Sequence, residues 1–142
     1  KRCLSPYHTH SVPATYKTGF RAPYIVDAVQ KTADGQISEA ALKAADTAEC
    51  EKMLTKIKGV GSKVANCCML FGLDKRDAFP VDVWIKRIME QLYFSGKETD
   101  KEKIAAFAKT RFGSYGGYAQ QYLFFYGKTV RIGTQNQKIK KV

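Results

Sequence analysis

Lys58-Gly59-Val60-Gly61-Ser62-Lys63 constrains this chain more than any other stretch. Two glycines one residue apart permit a tight turn with bare backbone. Apolar residues at helical spacing lie on both sides of it. Upstream, Met53, Leu54 and Ile57 form the apolar side of a helix capped by Thr47, with Glu51 and Lys52 on its wet side. Downstream, Val64, Ala65, Cys67, Cys68, Leu70 and Phe71 start a second helix at once. The pattern predicts two helices joined by a hairpin.

The remaining sequence reads the same way. Tyr24, Ile25, Ala28 and Val29 predict a helix over 22–33, stopped by Asp34-Gly35. Ser38 opens a short helix through Ala45, with Ala41 and Leu42 facing inward. Asp74 to Ala78 is a polar loop. Pro80 biases Phe79 away from helix, so Phe79-Pro80-Val81 is extended. Asp82 then caps a helix carrying Ile85, Ile88, Met89 and Leu92 on one face. Ser95-Gly96 breaks the chain, and Thr99 with Glu102 has the spacing of a capping box. Ile104, Phe107, Ala108 and Phe112 mark another helix, which Gly113 ends. A last aromatic-rich helix runs from about Tyr115 to Tyr126, with Tyr118, Tyr122 and Tyr126 expected to pack. Strand pairs and long-period repeats are absent from the pattern, so the expected class is all-α.

The 142 residues are enough for one compact domain. The expected organisation is an irregular leader over 1–18, or the remnant of a missing N-terminal region, then a helical domain over 19–128. A basic, flexible tail follows over 129–142. No apolar run reaches membrane-spanning length, and Lys1-Arg2-Cys3 does not introduce a signal peptide. Lys and Arg number 24 against 13 Asp and Glu, a net +11 that points to an anionic partner, nucleic acid first. Ribosomal and membrane-surface proteins share that trait. Cys3, Cys50, Cys67 and Cys68 form no CxxC, which argues against a zinc ribbon or an iron–sulfur loop and for a reducing, intracellular compartment. His8 and His10 form an HxH, read as a frayed terminus or tag remnant rather than a metal pair.

The hairpin concentrates the chemistry. Its exposed amides and the positive end of the second helix suit a phosphate, so it can grip a DNA backbone without reading sequence. Lys63 stands in the first turn of that helix. A cation there opposes the helix dipole, and a partly buried setting would also favour the neutral, nucleophilic amine. Asp82, kept ionised by capped amides, could take a proton or stabilise a sugar that turns cationic as a base departs. The blander readings are a lysine on a phosphate and a carboxylate that only caps a helix.

Ile57-Lys58-Gly59-Val60-Gly61-Ser62-Lys63-Val64-Ala65 followed by Phe79-Pro80-Val81-Asp82 resembles the helix-hairpin-helix–Gly/Pro–Asp signature of DNA glycosylases. Gly19-Phe20-Arg21-Ala22-Pro23-Tyr24 and Tyr115-Gly116-Gly117-Tyr118-Ala119-Gln120-Gln121-Tyr122-Leu123-Phe124 narrow the resemblance to the bacterial-type 8-oxoguanine branch. It covers roughly residues 19–128.

The resemblance implies base-excision repair. The lesion flips into a pocket, Lys63 attacks C1′ and displaces 8-oxoguanine, and the Schiff base undergoes β-elimination with Asp82 assisting. It implies that Gln120 hydrogen-bonds the base edge, that Phe124 and Cys67 hold its two faces, and that Phe71 is part of the pocket wall. Phe20 would wedge into the gap and Arg21 contact the orphaned cytosine. Gly59, Val60, Gly61 and Ser62 would meet the backbone. Backbone carbonyls of Thr55, Ile57 and Val60 would hold K+ or Na+; no other cofactor is implied. Trp84 replaces a phosphate-contacting histidine of some relatives, and its indole N–H can still donate.

The family's β-rich N-terminal domain and its cytosine-holding Asn/Arg pair do not precede Gly19, so a fragment or a short member is expected. The expected partner is duplex DNA bearing an oxidised base, met by a monomer without a membrane. The same chemistry on an oxidised pyrimidine or adenine mispair is one alternative. A non-catalytic helix-hairpin-helix DNA-binding module, or an inactive fragment, is the other.

Overall fold

The computed structural model describes residues 18–132. Cys3, the His8–His10 pair, the leader before Thr18 and the tail beyond Ile132 lie outside the described residues. Seven α-helices run through the described residues: α1 (Ala22–Ala33), α2 (Glu39–Ala44), α3 (Thr47–Leu54), α4 (Ser62–Gly72), α5 (Val83–Tyr93), α6 (Lys101–Phe112) and α7 (Gly116–Thr129). Short 3-10 turns, Gly19–Arg21 and Gly113–Tyr115, precede α1 and α7. Among the described residues there is no strand, as an all-α pattern requires. The chain forms two compact units divided between Gly61 and Ser62.

In the first unit, Pro23 sits in the first turn of α1, where its missing N–H has no helical partner to lose. The helix closes at Asp34, followed by Gly35 at φ +72°. Ser38 caps α2, its hydroxyl accepting the Ala41 N–H at 3.1 Å. The cap of α3 is Asp46 rather than Thr47: its Oδ1 accepts the Glu49 N–H at 2.8 Å. Asp46 keeps an extended backbone, the conformation a cap needs, while Thr47 is already helical. The helix also stops earlier than the apolar pattern suggests. Thr55 closes it, and Ile57 belongs to the turn beyond, its N–H on the Leu54 carbonyl at 3.1 Å.

In the second unit, Phe79, Val81, Ile85, Met89, Ile104 and Ala108 form a buried cluster, flanked by Phe94, Phe107, Phe112, Leu123 and Phe124. Burying a large aliphatic side chain contributes about 1.5–3 kcal/mol. The Ile85–Ile88–Met89 face therefore anchors α5. Leu92, expected on that face, is 42% exposed in the last turn of α5.

The capping box at Thr99 does not form. The Thr99 N–H goes to Glu90 Oε1 at 2.7 Å, the hydroxyl goes to the Lys97 carbonyl, and α6 starts at Lys101 behind Asp100. The amide that Glu102 would accept in the box is taken by the Glu90 carboxylate instead, and the hydroxyl that would cap the helix is turned to Lys97. Gly113, at φ +53°, ends α6 as expected.

Helix α7 turns its small residues inward. Gly116, Gly117, Gln120 and Gly127 are buried, and a Cβ at Gly127 would collide with Ile88 of α5. The Gly117 N–H donates to the Arg76 carbonyl at 2.7 Å. This orientation puts Tyr118, Tyr122 and Tyr126 on the outer side, so these three are exposed rather than packed.

Candidate active site and nucleic-acid interface

Within the second unit, α4 carries Lys63, Cys67 and Phe71 at i, i+4 and i+8, which places them along one helix face. Lys63 is exposed in the first turn and makes no ion pair among the described residues. Its neighbours Ser62 and Val64 are exposed too, so the first turn of α4 gives the amine no partial burial. Cys67 is half-buried, and Phe71 is 65% exposed, too open for a core residue. Burial, with a smaller contribution from Cys67, pushes the neighbouring Cys68 thiol up.

Asp82 caps α5. Its Oδ1 accepts the Ile85 N–H at 2.7 Å, which fixes the carboxylate. Its Oδ2 has no protein donor among the described residues. The capping role and the availability of one oxygen are therefore compatible. Trp84 lies in the first turn of α5, 39% exposed, with the Arg87 guanidinium 5.4 Å from its ring.

On α7, Gln120 and Phe124 are one turn apart. Of the adjacent glutamines, Gln120 is the buried one and Gln121 the exposed one. Gln120 Nε2 donates to the Pro80 carbonyl at 3.3 Å, and its Oε1 accepts from Gln121 Nε2 at 2.5 Å. Phe124 packs against the buried cluster, with Lys128 Nζ 4.8 Å above its ring.

One residue that the sequence reading does not single out ties these elements together. Asn66, only 8% exposed, lies one turn beyond Lys63. Its Nδ2 donates to the Ser62 carbonyl at 3.0 Å, and its Oδ1 accepts the Phe79 N–H at 3.1 Å. Segment 79–82 is thus gripped from α4 by Asn66 at Phe79 and from α7 by Gln120 at Pro80. The available signal was an asparagine inside an otherwise apolar helix, where buried amides are found only with partners.

The first unit holds the other candidates. Phe20 and Arg21 occupy the 3-10 turn, both exposed, the guanidinium 4.5 Å over the Phe20 ring. Asp27 of α1, also passed over in the sequence, accepts the Lys58 N–H at 2.7 Å and binds Lys31 at 2.6 Å. The hydrogen bond from Lys31, then that from the Lys58 amide, holds its carboxyl below the ordinary 3.8. Gly59, at φ +79°, lies against the Tyr24 ring, which occupies the space a Cβ would need. The Val60 N–H closes a turn onto the Ile57 carbonyl at 3.0 Å. The Gly59 and Gly61 amides have no acceptor among the described residues, and Thr55 is exposed.

An open depression of about 660 Å³ in the second unit is lined by Asp74, Lys75, Arg76, Asp77, Lys109, Gly113 and Ser114, none of them a sequence-predicted site residue. Its charges are of both signs, and Asp74 pairs with Arg76 at 3.1 Å. Among the described residues no group of three His, Cys, Asp or Glu could hold a metal ion, and no helix is long and apolar enough to cross a membrane.

No family model matches the chain. A probable N-glycosylase/DNA lyase of Methanothermobacter thermautotrophicus is 37% identical over 106 residues, 75% of this chain and 33% of the relative. The N-glycosylase/DNA lyase OGG1 of Arabidopsis thaliana is 34% identical over 116 residues, 75% of this chain and 32% of that protein. The chain thus spans about a third of these relatives' length. Among solved structures, MBOgg1 in complex with a low-affinity DNA ligand matches with TM-score 0.81 and 43% identity, over 90% of this chain and 44% of that one. The 8-oxoguanine glycosylase/lyase of Clostridium acetobutylicum, bound to double-stranded DNA with cytosine opposite 8-oxoG, matches with TM-score 0.79 and 38% identity, over 91% and 44%.

Proposed function

Because the chain belongs to the 8-oxoguanine-type N-glycosylase/DNA lyase family, we propose that it acts in base-excision repair, removing 8-oxoguanine from duplex DNA and nicking the strand. Lys63 attacks C1′ of the damaged nucleotide with its neutral amine. The glycosidic bond breaks, and its electron pair leaves with the base, which takes up a proton. Loss of the amine's protons and opening of the sugar give a Schiff base. Removal of a C2′ proton then expels the 3′ phosphate in β-elimination. Asp82 stabilises positive charge on the sugar as the base departs and assists proton movement.

The observation that carries this reading is the state of Asp82. One oxygen is spent on the Ile85 amide, which fixes the group, and the other is open, in the same unit as an unpaired Lys63. Lys63 is exposed in the free chain, so it is the bound DNA that would exclude water from it.

The other roles follow as parts of the same proposal. Gln120 and Phe124 read and stack on the flipped base, with Cys67 and Phe71 completing its pocket; stacking contributes about 1–3 kcal/mol per base. Gly59, Val60, Gly61, Ser62 and the Trp84 indole meet phosphates, Phe20 fills the vacated stack, and Arg21 faces the orphaned base. The carbonyls of Thr55, Ile57 and Val60 are the donors for a K+ or Na+ ion. Ile57 spends one lone pair on the Val60 amide and keeps the other. Such an ion would supply positive charge for a phosphate. An enzyme of this kind works inside the cell.

Borohydride trapping on a panel of lesion-bearing duplexes tests the proposal. A covalent adduct with 8-oxoguanine duplex that disappears in Lys63→Gln is the expected result. Trapping unchanged in that variant would refute Lys63 as nucleophile. Binding without any adduct would identify a non-catalytic DNA-binding module, and an adduct with another lesion alone would relocate the specificity.

A further inference from the structure

We infer that Asn66 is the positioning residue that sets the placement of Asp82 relative to Lys63, an inference that rests on the roles proposed for those two residues. The two candidates lie on different elements, Lys63 in the first turn of α4 and Asp82 at the start of α5, with 18 residues of chain between them. The polar loop Asp74 to Ala78 supplies five of the nine residues between the end of α4 and Asp82 and cannot by itself fix their geometry. Asn66 does so directly. One end of its amide binds the carbonyl of Ser62, the residue before Lys63, at 3.0 Å. The other end receives the amide of Phe79, three residues before Asp82, at 3.1 Å in a buried setting.

The stretch from Phe79 to Asp82 transmits that constraint. Phe79, Pro80 and Val81 are all buried, and Pro80 restricts the backbone. A shift at Phe79 therefore carries through to the carboxylate. The same segment is held on its other side by Gln120 at the Pro80 carbonyl, so Asn66 is the anchor on the lysine's side. Both bonds use the two unlike ends of a carboxamide at once, one accepting and one donating, which no apolar side chain and no carboxylate can reproduce.

Single-turnover base release from an 8-oxoguanine duplex, measured beside duplex affinity and hydrogen exchange of the Phe79 amide, tests this. Asn66→Ala should slow release about tenfold or more, since misplacement of reacting groups costs rate. It should leave affinity within about threefold of the parent, because Asn66 makes none of the proposed DNA contacts. Protection should be lost at Phe79 but kept at Ile85, whose amide Asp82 holds. Asn66→Asp, which keeps an acceptor for Phe79 and loses the donor to Ser62, should restore that protection and recover part of the rate.

Equal release rates in parent and Asn66→Ala would overturn the inference alone. So would a parallel fall in rate, affinity and all amide protection, the mark of a merely structural residue. If Asn66→Ala does not fold, Asn66→Asp decides: parental rate refutes the inference, and a reduced rate with intact affinity and Phe79 protection upholds it. A parent chain that binds duplex and releases no base would overturn the enzymatic reading and this inference with it.

Discussion

Replacing Gly117 by Ala asks whether α7 must lie as close as it does to the loop that leads into Asp82. An added Cβ would stand 2.9 Å from the Arg76 carbonyl oxygen and 3.1 Å from that of Ala78, and would press into a Leu70 methyl. The methyl can rotate away. The two carbonyls cannot, because the Gly117 N–H itself holds Arg76 at 2.7 Å, so relief requires α7 to withdraw. Overpacking of this kind costs about 1–3 kcal/mol, and the stretched hydrogen bond adds about 1 kcal/mol. Against this, Ala gains about 1 kcal/mol over Gly in a helix. The net is a loss of about 2 kcal/mol, or a Tm lower by about 5–10 °C for a chain of this size. Gly72→Ala is the control, since a Cβ there meets nothing within 4 Å and its φ is ordinary; its melting temperature should hold or rise. Paired thermal and urea melts read both. A Gly117→Ala chain that melts at or above the parent would refute the argument that this glycine exists for close approach.

Three further outcomes follow from the site. Asp27→Ala should abolish hydrogen-exchange protection at the Lys58 amide and weaken duplex binding, because it frees the first half of the hairpin. In the parent, a carboxyl held below 3.8 contributes stability above its unfolded value and loses it only as pH falls through the folded one; protection at Lys58 should therefore persist as pH falls past 3.8 and be lost only on passing the lower folded value, as amide exchange against pH would record. Gln120→Ala should reduce the ratio of 8-oxoguanine to guanine excision in single-turnover assays, and an unchanged ratio would remove Gln120 from base reading. Duplex affinity should fall linearly in log–log salt titration, with a slope of about −0.9 per phosphate contact; a flat response would contradict the role given to the +11 charge.

How much of this was legible beforehand depended on whether one element or two decided the outcome. The caps at Ser38 and Asp82 and the stop at Gly113 were readable because each is settled by its own helix. Thr99 was not, since its amide is claimed by Glu90, nine residues away on the preceding helix. The same division explains the tyrosines of α7. Their spacing fits a packed face, but Gly116 and Gly117 let loop backbone, and Gly127 the Ile88 side chain, come closer than any aromatic could, and this sends the tyrosines outward. At the site, local spacing placed Lys63, Cys67 and Phe71 on one helix and capped α5 with Asp82. Asn66 and Asp27 escaped notice because their partners, Phe79 and Lys58, lie 13 and 31 residues off. Both are polar side chains whose only conspicuous feature in sequence was an apolar neighbourhood. A polar residue that interrupts an apolar helix next to a reactive one is thus the signal to follow, because burial obliges it to bind something, and what it binds is the backbone that must not move.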